Sequence, residues 1–253
     1  MPVDYKNIPV GGGDTFQPLA MDKRLKYIGR HLKPDGHRFL DCGCGAGGYV
    51  FQLVDRFGLD AVGIEYEEEK VQRGKLHPQH GHRIAKGDIQ ALPFNQGEFD
   101  YALLNEVLEH VPDDAAALRE VFRTLKPHGL LFIFSPNRWY PFETHGVNLK
   151  QSNRHVPYWV PFIPYIPLAL GTRFLRYWAR NYGQRDLQKL VLAAGFSIVE
   201  VSFVWQTFED ISGHQPRIVG SLKPLLRNLV NRLETTPFLQ RFGVSQAVLC
   251  RKP

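Results

Sequence analysis

The sequence predicts an α/β fold built on a doubly wound, mostly parallel sheet of seven strands, with a helical, proline-rich insertion after the fifth strand. Between residues 20 and 135, short apolar runs alternate with amphipathic segments, which is the pattern of repeated β-α units. The central apolar runs, EFDYALLN (98–105) and GLLFIFS (129–135), are nearly continuous. Such runs are typical of parallel strands that helices cover on both faces.

The elements follow one another along the chain after a glycine-rich arm over residues 1–14. Apolar residues at helical spacing predict a first helix over 21–32, which the turn residues at 34–36 end. The next elements are strand 38–42, helix 48–57, strand 61–66, helix 67–75, strand 82–88, strand 98–105, helix 113–125 and strand 129–135. After a gap the pattern resumes with a helix that Gly195 ends, a strand over 197–205 and a last strand over 244–252.

This pattern predicts one domain over residues 1–253. Its core covers about 20–135 and 183–253, and the insertion covers about 136–182. Hydrophobic residues make up 43% of the chain and charged residues 22%, which is typical of a globular domain with a substantial core.

Charge and cysteine content indicate which binding partners and which cellular compartment to expect. A net charge of +6 favours anionic surfaces, without establishing that the chain binds nucleic acid. Three cysteines, two of them only one residue apart, fit free thiols in a reducing compartment better than a disulfide or a zinc site. The N-terminal residues lack the basic and apolar regions of a signal peptide. We therefore expect a cytoplasmic protein, with peripheral membrane contact left open.

The loop after the first strand, RFLDCGCGAGG (38–48), is the most informative stretch. Its pattern Gly43-x-Gly45-x-x-Gly48 also satisfies the dinucleotide fingerprint, so the glycines alone do not identify the ligand. Asp41 intervenes two residues before the first of these glycines. A carboxylate there would repel a pyrophosphate and attract an ammonium or sulfonium group. The loop therefore favours a cationic ligand.

With these residues in view, the chain resembles the class I S-adenosylmethionine-dependent methyltransferases, within their ubiquinone/menaquinone-biosynthesis-like superfamily. The resemblance covers roughly residues 20–135. It rests on four motifs in the family's order: LDCGCGAG (40–47), GIE (63–65), KGDIQALPFNQGEFDYALLNEVLEHV (86–111) and LKPHGLLFIFSPN (125–137). It implies a Rossmann-like methyltransferase fold, methyl transfer as the reaction and S-adenosylmethionine as the cofactor.

The resemblance also assigns residues to the cofactor. They are Asp41, Gly43, Gly45, Gly47, Glu65, Asp88, Ile89 and Asn105. The three glycines would let the backbone approach the methionine part, with Asp41 near its amino acid end and Asn105 on its far side. Asn105 could equally be a helix cap.

The remaining residues would contact the nucleoside part. Glu65 would accept hydrogen bonds from the ribose hydroxyls, and Asp88 with Ile89 would address the adenine. Asp88 could instead serve only as a turn residue after its strand.

Methyl transfer from a sulfonium needs a base only when the acceptor loses a proton. Two histidines of the insertion, His145 and His155, are candidate bases, although either could be a surface or capping residue. No group of His, Asp and Glu has convincing metal-ligand spacing, so we expect no metal. The favoured reaction is O-methylation of a small or lipid-like hydroxyl acceptor.

Other functions stay open. N- or C-methylation would use the same cofactor motifs, and a cofactor-binding interaction module without catalysis is an alternative from another class. A nucleic-acid methyltransferase is disfavoured because no base-flipping signature or RNA-binding module is recognisable. The oligomeric state is not predicted.

The insertion carries one more signal. Pro161, Pro164 and Pro167 recur at the three-residue period of a polyproline II helix, within an uncharged run over 156–172. Further along, VGSLKPLLRNLVNRLE (219–234) has apolar residues at helical spacing with basic residues between them. Apolar residues flanked by basic ones fit either a lid over the acceptor pocket or contact with a membrane surface.

Overall fold

The computed structural model describes residues 18–33, 36–205, 207 and 217–253. The glycine-rich arm and residues 34–35 of the first turn lie outside this part. The chain divides into two compact units. The sheet unit consists of Arg24–Ser135, Arg185–Val201 and Ala247–Pro253, and the insertion unit consists of the described residues within 1–23, 136–184 and 202–246. The predicted division into core and insertion stays a prediction.

Seven strands form the main sheet, as predicted. They are β1 (Arg38–Cys42), β2 (Asp60–Glu65), β3 (Ile84–Lys86), β4 (Phe99–Asn105), β5 (Leu125–Pro136), β8 (Ser197–Val204) and β9 (Ser245–Arg251), and two further short strands, β6 (Val147–Leu149) and β7 (Leu175–Tyr177), pair with each other. The order across the sheet is β3-β2-β1-β4-β5-β9-β8. The pairs β1–β2, β1–β4, β2–β3 and β4–β5 are parallel, which confirms the mostly parallel, doubly wound sheet.

The helices are α1 (Pro18–Gly29), α2 (Gly48–Phe57), α3 (Glu68–Lys75), α4 (Asp114–Thr124), α5 (Leu168–Phe174), α6 (Gln184–Ala193) and α7 (Arg217–Thr235). Asp113 caps α4, since its carboxylate accepts a hydrogen bond from the Ala116 N–H at 2.8 Å. Apolar side chains of α1, α2, α4 and α6 are buried in the core of the sheet unit, and Phe39 stacks on Phe132 at its centre. None of the described helices is long and apolar enough to cross a membrane.

The strand order reverses between β1 and β4, which places the loops after both strands at the same edge of the sheet. The register brings Cys42 beside Leu104 on β4 and beside Ile64 on β2. Asp41 and Glu65 therefore lie at the carboxyl ends of neighbouring strands.

Two features of the insertion differ from the sequence-based predictions. The strands β6 and β7 were not predicted, because each has three residues and no alternation to detect. The proline run is not a polyproline II helix: Phe162 has a left-handed backbone with φ 66°, and Ile163–Tyr165 forms a 3-10 turn. A 3-10 helix also repeats every three residues, so the proline period did not distinguish the two.

Candidate functional site

The loop after β1 is fixed to the neighbouring strand by its own backbone. The N–H groups of Gly43 and Cys44 both donate to the carbonyl oxygen of Ile64 on β2, at 2.7 and 3.0 Å. The Gly47 N–H donates to the Cys44 carbonyl at 2.9 Å, and α2 begins at the next residue. The loop is thus held at the switch point of the sheet, where doubly wound folds bind ligands.

Two of the glycines are required for different reasons. A Cβ on Gly43 would lie 2.6 Å from Cγ2 of Val107, so only glycine fits there. Gly45 has φ 56°, and no atom lies within 4 Å of the place where its Cβ would be. Gly45 therefore leaves its backbone open to whatever approaches the loop.

Asp41 is a buried carboxyl group at the end of β1, directly before this loop. It is 1% exposed, and its Oδ2 atom has no hydrogen-bond partner among the described residues. Burial, with a smaller contribution from Glu65, raises the pKa of Asp41 from 3.8 to about 8. Burial also raises the pKa of the neighbouring thiols Cys42 and Cys44, so they offer no competing anion. A cation placed beside Asp41 would stabilise its charged form.

Glu65 joins the end of β2 to the tip of the loop. It is 7% exposed, and its Oε2 accepts a hydrogen bond from the Gly45 N–H at 2.8 Å. Its Oε1 accepts one from the Glu67 N–H at 2.9 Å. Because each carboxylate oxygen has two acceptor sites, both can still accept a bond from a hydroxyl donor.

Asn105 lies at the end of β4 in a group that the sequence analysis did not find. Arg24 on α1 donates from Nη1 to Asn105 Oδ1 at 2.8 Å and from Nη2 to Glu106 Oε1 at 2.6 Å. Its guanidinium also lies over the Phe134 ring, 5.3 Å from the centroid, and interacts with Tyr49 of α2. We call Arg24, Tyr49, Asn105 and Glu106 the arginine cluster. No motif marks Arg24, since the fold brings it to residues about eighty positions away.

Burial and neighbouring charges both shift the pKa values of groups in and beside the arginine cluster. Burial alone lowers the pKa of Arg24, but Tyr49 and Glu106 raise it above the ordinary value. Burial, followed by the charge of Glu106, raises the pKa of Glu109 well above its usual range. The neutral form of Glu109 is thereby favoured, and Arg24 and Glu106 form the charged pair.

Asp88 and Ile89 follow β3. The Asp88 carboxylate accepts from the backbone N–H of Gln90 at 2.9 Å and from its side-chain amide at 3.1 Å, so it does serve the local turn. Ile89 is 5% exposed and belongs to the core. The role of this pair toward adenine stays a prediction.

The two candidate bases belong to the insertion unit. The His145 N–H donates to Oε1 of the buried Glu143 at 3.0 Å, and its Nδ1 lies 3.1 Å from the Thr144 hydroxyl oxygen. His155 is exposed, with its ring centroid 4.7 Å from that of Tyr158 and 5.6 Å from that of Trp178. Their role as bases, and the expected absence of a metal, stay predictions.

Comparison with known proteins places the sheet unit in context. Residues 40–133 match the family model described as "Methyltransferase domain". Proteins named ubiquinone biosynthesis O-methyltransferase are 37% identical over 121 residues in Xanthomonas axonopodis pv. citri (strain 306) and 35% identical over 119 residues in Methylococcus capsulatus. These alignments cover 46% of this chain and 49% and 50% of the relatives, so the chain spans about half the length of the curated relatives it matches.

A solved structure extends the similarity to the whole fold. It is an S-adenosylmethionine-dependent methyltransferase from Mesorhizobium loti, 18% identical, with a TM-score of 0.58 over 92% of this chain and 98% of that one. At this identity the likeness concerns the fold alone.

Proposed function

We propose that this chain is a class I S-adenosylmethionine-dependent methyltransferase, as the match of residues 40–133 to a methyltransferase domain supports, and that it binds S-adenosylmethionine at the loop after β1 and transfers its methyl group to an acceptor. One observation carries the proposal. The buried Oδ2 atom of Asp41 has no hydrogen-bond partner among the described residues, and it lies at the end of β1, four positions before the open Gly45, at the ligand-binding edge of the sheet. A cationic ligand satisfies that carboxylate, and a pyrophosphate does not.

The residues at this edge fit the cofactor group by group. Asp41 suits its positive charges, and Gly45 leaves room for close approach of its methionine part. Glu65 retains acceptor capacity for the ribose hydroxyls. When bound, the cofactor supplies an activated methyl group on a sulfonium.

The protein's own contribution is then mainly positioning. Holding the donor and the acceptor in line supplies much of the barrier reduction, about 7–11 kcal/mol in well-oriented cases. An acceptor that loses a proton also needs a base, and we propose His145 or His155 for that role. Single-turnover rates of His145→Ala and His155→Ala test this assignment, which is wrong if neither change slows methyl transfer.

We propose a small or lipid-like hydroxyl compound as the acceptor. The names of the curated relatives support O-methylation of a quinone-like molecule, although only about half of each relative is matched. A lipid-like acceptor would bring a cytoplasmic protein into peripheral contact with a membrane. N- or C-methylation remains the alternative, and release of S-adenosylhomocysteine in a screen of phenolic, quinone, lipid and amine acceptors distinguishes these reactions.

Calorimetry with the purified chain tests the central proposal. We expect saturable binding of S-adenosylmethionine and no comparable binding of NAD. Glu65→Ala should weaken cofactor binding by about 1.5–3 kcal/mol, because charge-assisted hydrogen bonds are lost. The matched control is Glu69→Ala, which removes a surface acid whose side chain is 86% exposed. Absence of cofactor binding by a chain with an intact fold would overturn the proposal.

A further inference from the structure

Five aromatic residues of the insertion unit form a continuous series of ring contacts at its surface. We call them the aromatic patch: Trp139, Phe162, Tyr165, Phe238 and Phe242. The Tyr165 ring centroid lies 5.5 Å from that of Phe162 and 6.4 Å from that of Trp139. Trp139 lies 6.2 Å from Phe242, which lies 6.0 Å from Phe238. All but Phe242 are exposed, Phe238 by 67%. Exposed apolar residues that are clustered in this way commonly mark an interaction site.

Phe162 is the least expected member of the patch. Its backbone is left-handed with φ 66°, and its side chain is 57% exposed. Glycine or asparagine would adopt this backbone at lower energy, and a polar residue would suit the exposure. The ring contact with Tyr165 leaves more than half of the side chain exposed, so a partner that covers the ring is the better explanation.

The patch is held in place before any partner arrives. The Tyr165 hydroxyl donates to the Trp139 carbonyl at 2.6 Å, and the Phe162 N–H donates to the Pro141 carbonyl at 2.6 Å. Arg138 donates from Nη2 to the Ile166 carbonyl at 3.1 Å. A surface fixed in this way loses little conformational entropy when it binds.

The helix α7 precedes Phe238 in the chain and lies against the segment Leu239–Phe242, which includes Phe242 of the patch. Leu225 and Leu229, four residues apart and therefore on one face, are 67% and 52% exposed. Arg232 follows on the same face. This amphipathic helix was predicted over 219–234.

The insertion unit also concentrates positive charge. The described residues of the insertion unit contain twelve Lys and Arg against three acids, a surplus of nine. Two of the acids are Glu143, which is buried, and Glu234, which pairs with Lys23 at 2.7 Å. Five exposed arginines form no ion pair with another described residue: Arg154, Arg173, Arg176, Arg232 and Arg241.

We propose that the aromatic patch is the contact surface for a membrane that contains anionic lipids. Aromatic side chains favour the membrane–water interface, and basic residues near it are attracted by anionic headgroups. A second copy of the chain fits less well, since a symmetric contact between two insertion units would bring together two units that each carry a surplus of positive charge. The inference rests on the proposed function in one respect: a membrane partner suits a lipid-like acceptor.

The test is co-sedimentation of the full chain with phosphatidylcholine vesicles, with and without phosphatidylglycerol. We expect binding only to the anionic vesicles, with an affinity that falls as salt rises. The variant Phe162→Asn with Phe238→Ser should bind at least about tenfold more weakly, as expected when two interfacial aromatic side chains are lost. Asparagine suits the left-handed backbone at 162, so this variant should fold as well as the original chain.

Leu76→Ser is the matched control, because Leu76 is 81% exposed and belongs to the sheet unit. It should bind vesicles like the original chain. Equal binding by the patch variant and the original chain overturns the proposal, as does a lack of binding to anionic vesicles. Concentration-dependent dimers that the patch variant abolishes, without vesicle binding, would assign the patch to a second copy. Cofactor titration of the same samples separates the two proposals, since the patch variant should bind S-adenosylmethionine normally.

Discussion

The ends of β1 and β4 lie at the same edge of the sheet, but they differ in how their charged groups are compensated. At the end of β1, the Asp41 carboxyl has an oxygen without a partner among the described residues, and its pKa is raised to about 8. After β4, Arg24 and Glu106 satisfy each other at 2.6 Å, and Arg24 also bonds Asn105. Arg24 and Glu106 thus compensate each other in the free protein. The Asp41 carboxylate is compensated only when a cation binds beside it. The comparison distinguishes residues that stabilise the site in the free protein, Arg24 and Glu106, from Asp41, whose charge is stabilised only by a bound ligand.

The first prediction breaks the arginine cluster. Arg24→Met removes the cation and leaves Glu106 beside Glu109 with no compensating charge from Arg24. Breaking this partly buried, hydrogen-bonded ion pair from one side should cost about 2 kcal/mol of unfolding free energy. Denaturant unfolding at pH 7 measures the loss, and Lys26→Met, on the same helix, is the control that should change stability little. A stability unchanged in Arg24→Met would mean that the cluster contributes nothing to the fold.

The second prediction concerns Asp41, whose replacement should weaken cofactor binding and leave the stability of the free chain unchanged. Asp41→Asn should weaken S-adenosylmethionine binding by about 2 kcal/mol, roughly thirtyfold, because the charge that attracts the cofactor is lost. It should not destabilise the free chain at neutral pH, since an isosteric neutral group replaces a carboxyl that burial disfavours as an anion. Calorimetry and denaturant unfolding of the same variant measure both effects. A variant that unfolds more easily yet binds normally would reverse the roles assigned to the two loops.

The same residue predicts a pH dependence. The folded-state pKa of Asp41 is raised from 3.8 to about 8, so the neutral form stabilises the free chain fully below pH 4, and this stabilisation is lost as pH rises through about 8. A bound cation lowers that pKa. Cofactor affinity should therefore rise with pH toward 8, by at most about 1.4 kcal/mol per pH unit, and then level off. The cofactor's own amino group also titrates near this range, so the slope is judged against Asp41→Asn, in which the protein's contribution should vanish.

Features that depend on neighbouring residues in the sequence could be predicted, and features that depend on contacts between distant residues could not. The strand β1 has the predicted bounds, and Asp41, Glu65 and Asn105 lie at the carboxyl ends of apolar strands that meet at one edge. The strand β5 begins at Leu125, four residues before the prediction, because Lys126-Pro127-His128-Gly129 has the composition of a turn. In the structure these residues belong to β5, whose pairing with β4 is irregular at this point. His128 has a left-handed backbone there, with φ 65°.

Nonlocal features had no comparable signal. Arg24 reaches the site only through the docking of α1, and nothing in the sequence around it indicates Asn105 as its partner. The polyproline prediction failed because a three-residue period is shared by two kinds of helix. The aromatic patch is assembled from residues about a hundred positions apart, so its members looked like separate exposed or core residues in the sequence.

The last prediction isolates the opening at the tip of the β1 loop. Gly45 and Gly97 share a left-handed backbone, with φ 56° and 67°, and neither has an atom within 4 Å of the position of a Cβ. Replacing either by alanine should therefore destabilise the chain equally, by about 1 kcal/mol, through backbone strain alone. Only Gly45→Ala should also weaken S-adenosylmethionine binding, because its new methyl group occupies the space in front of the loop that we assign to the ligand. Thermal unfolding and calorimetry of the two variants make the comparison. Equal cofactor affinities in Gly45→Ala and Gly97→Ala would show that the opening at Gly45 is not where the cofactor approaches, and the ligand assigned to the Asp41 carboxylate would have to reach it from another side.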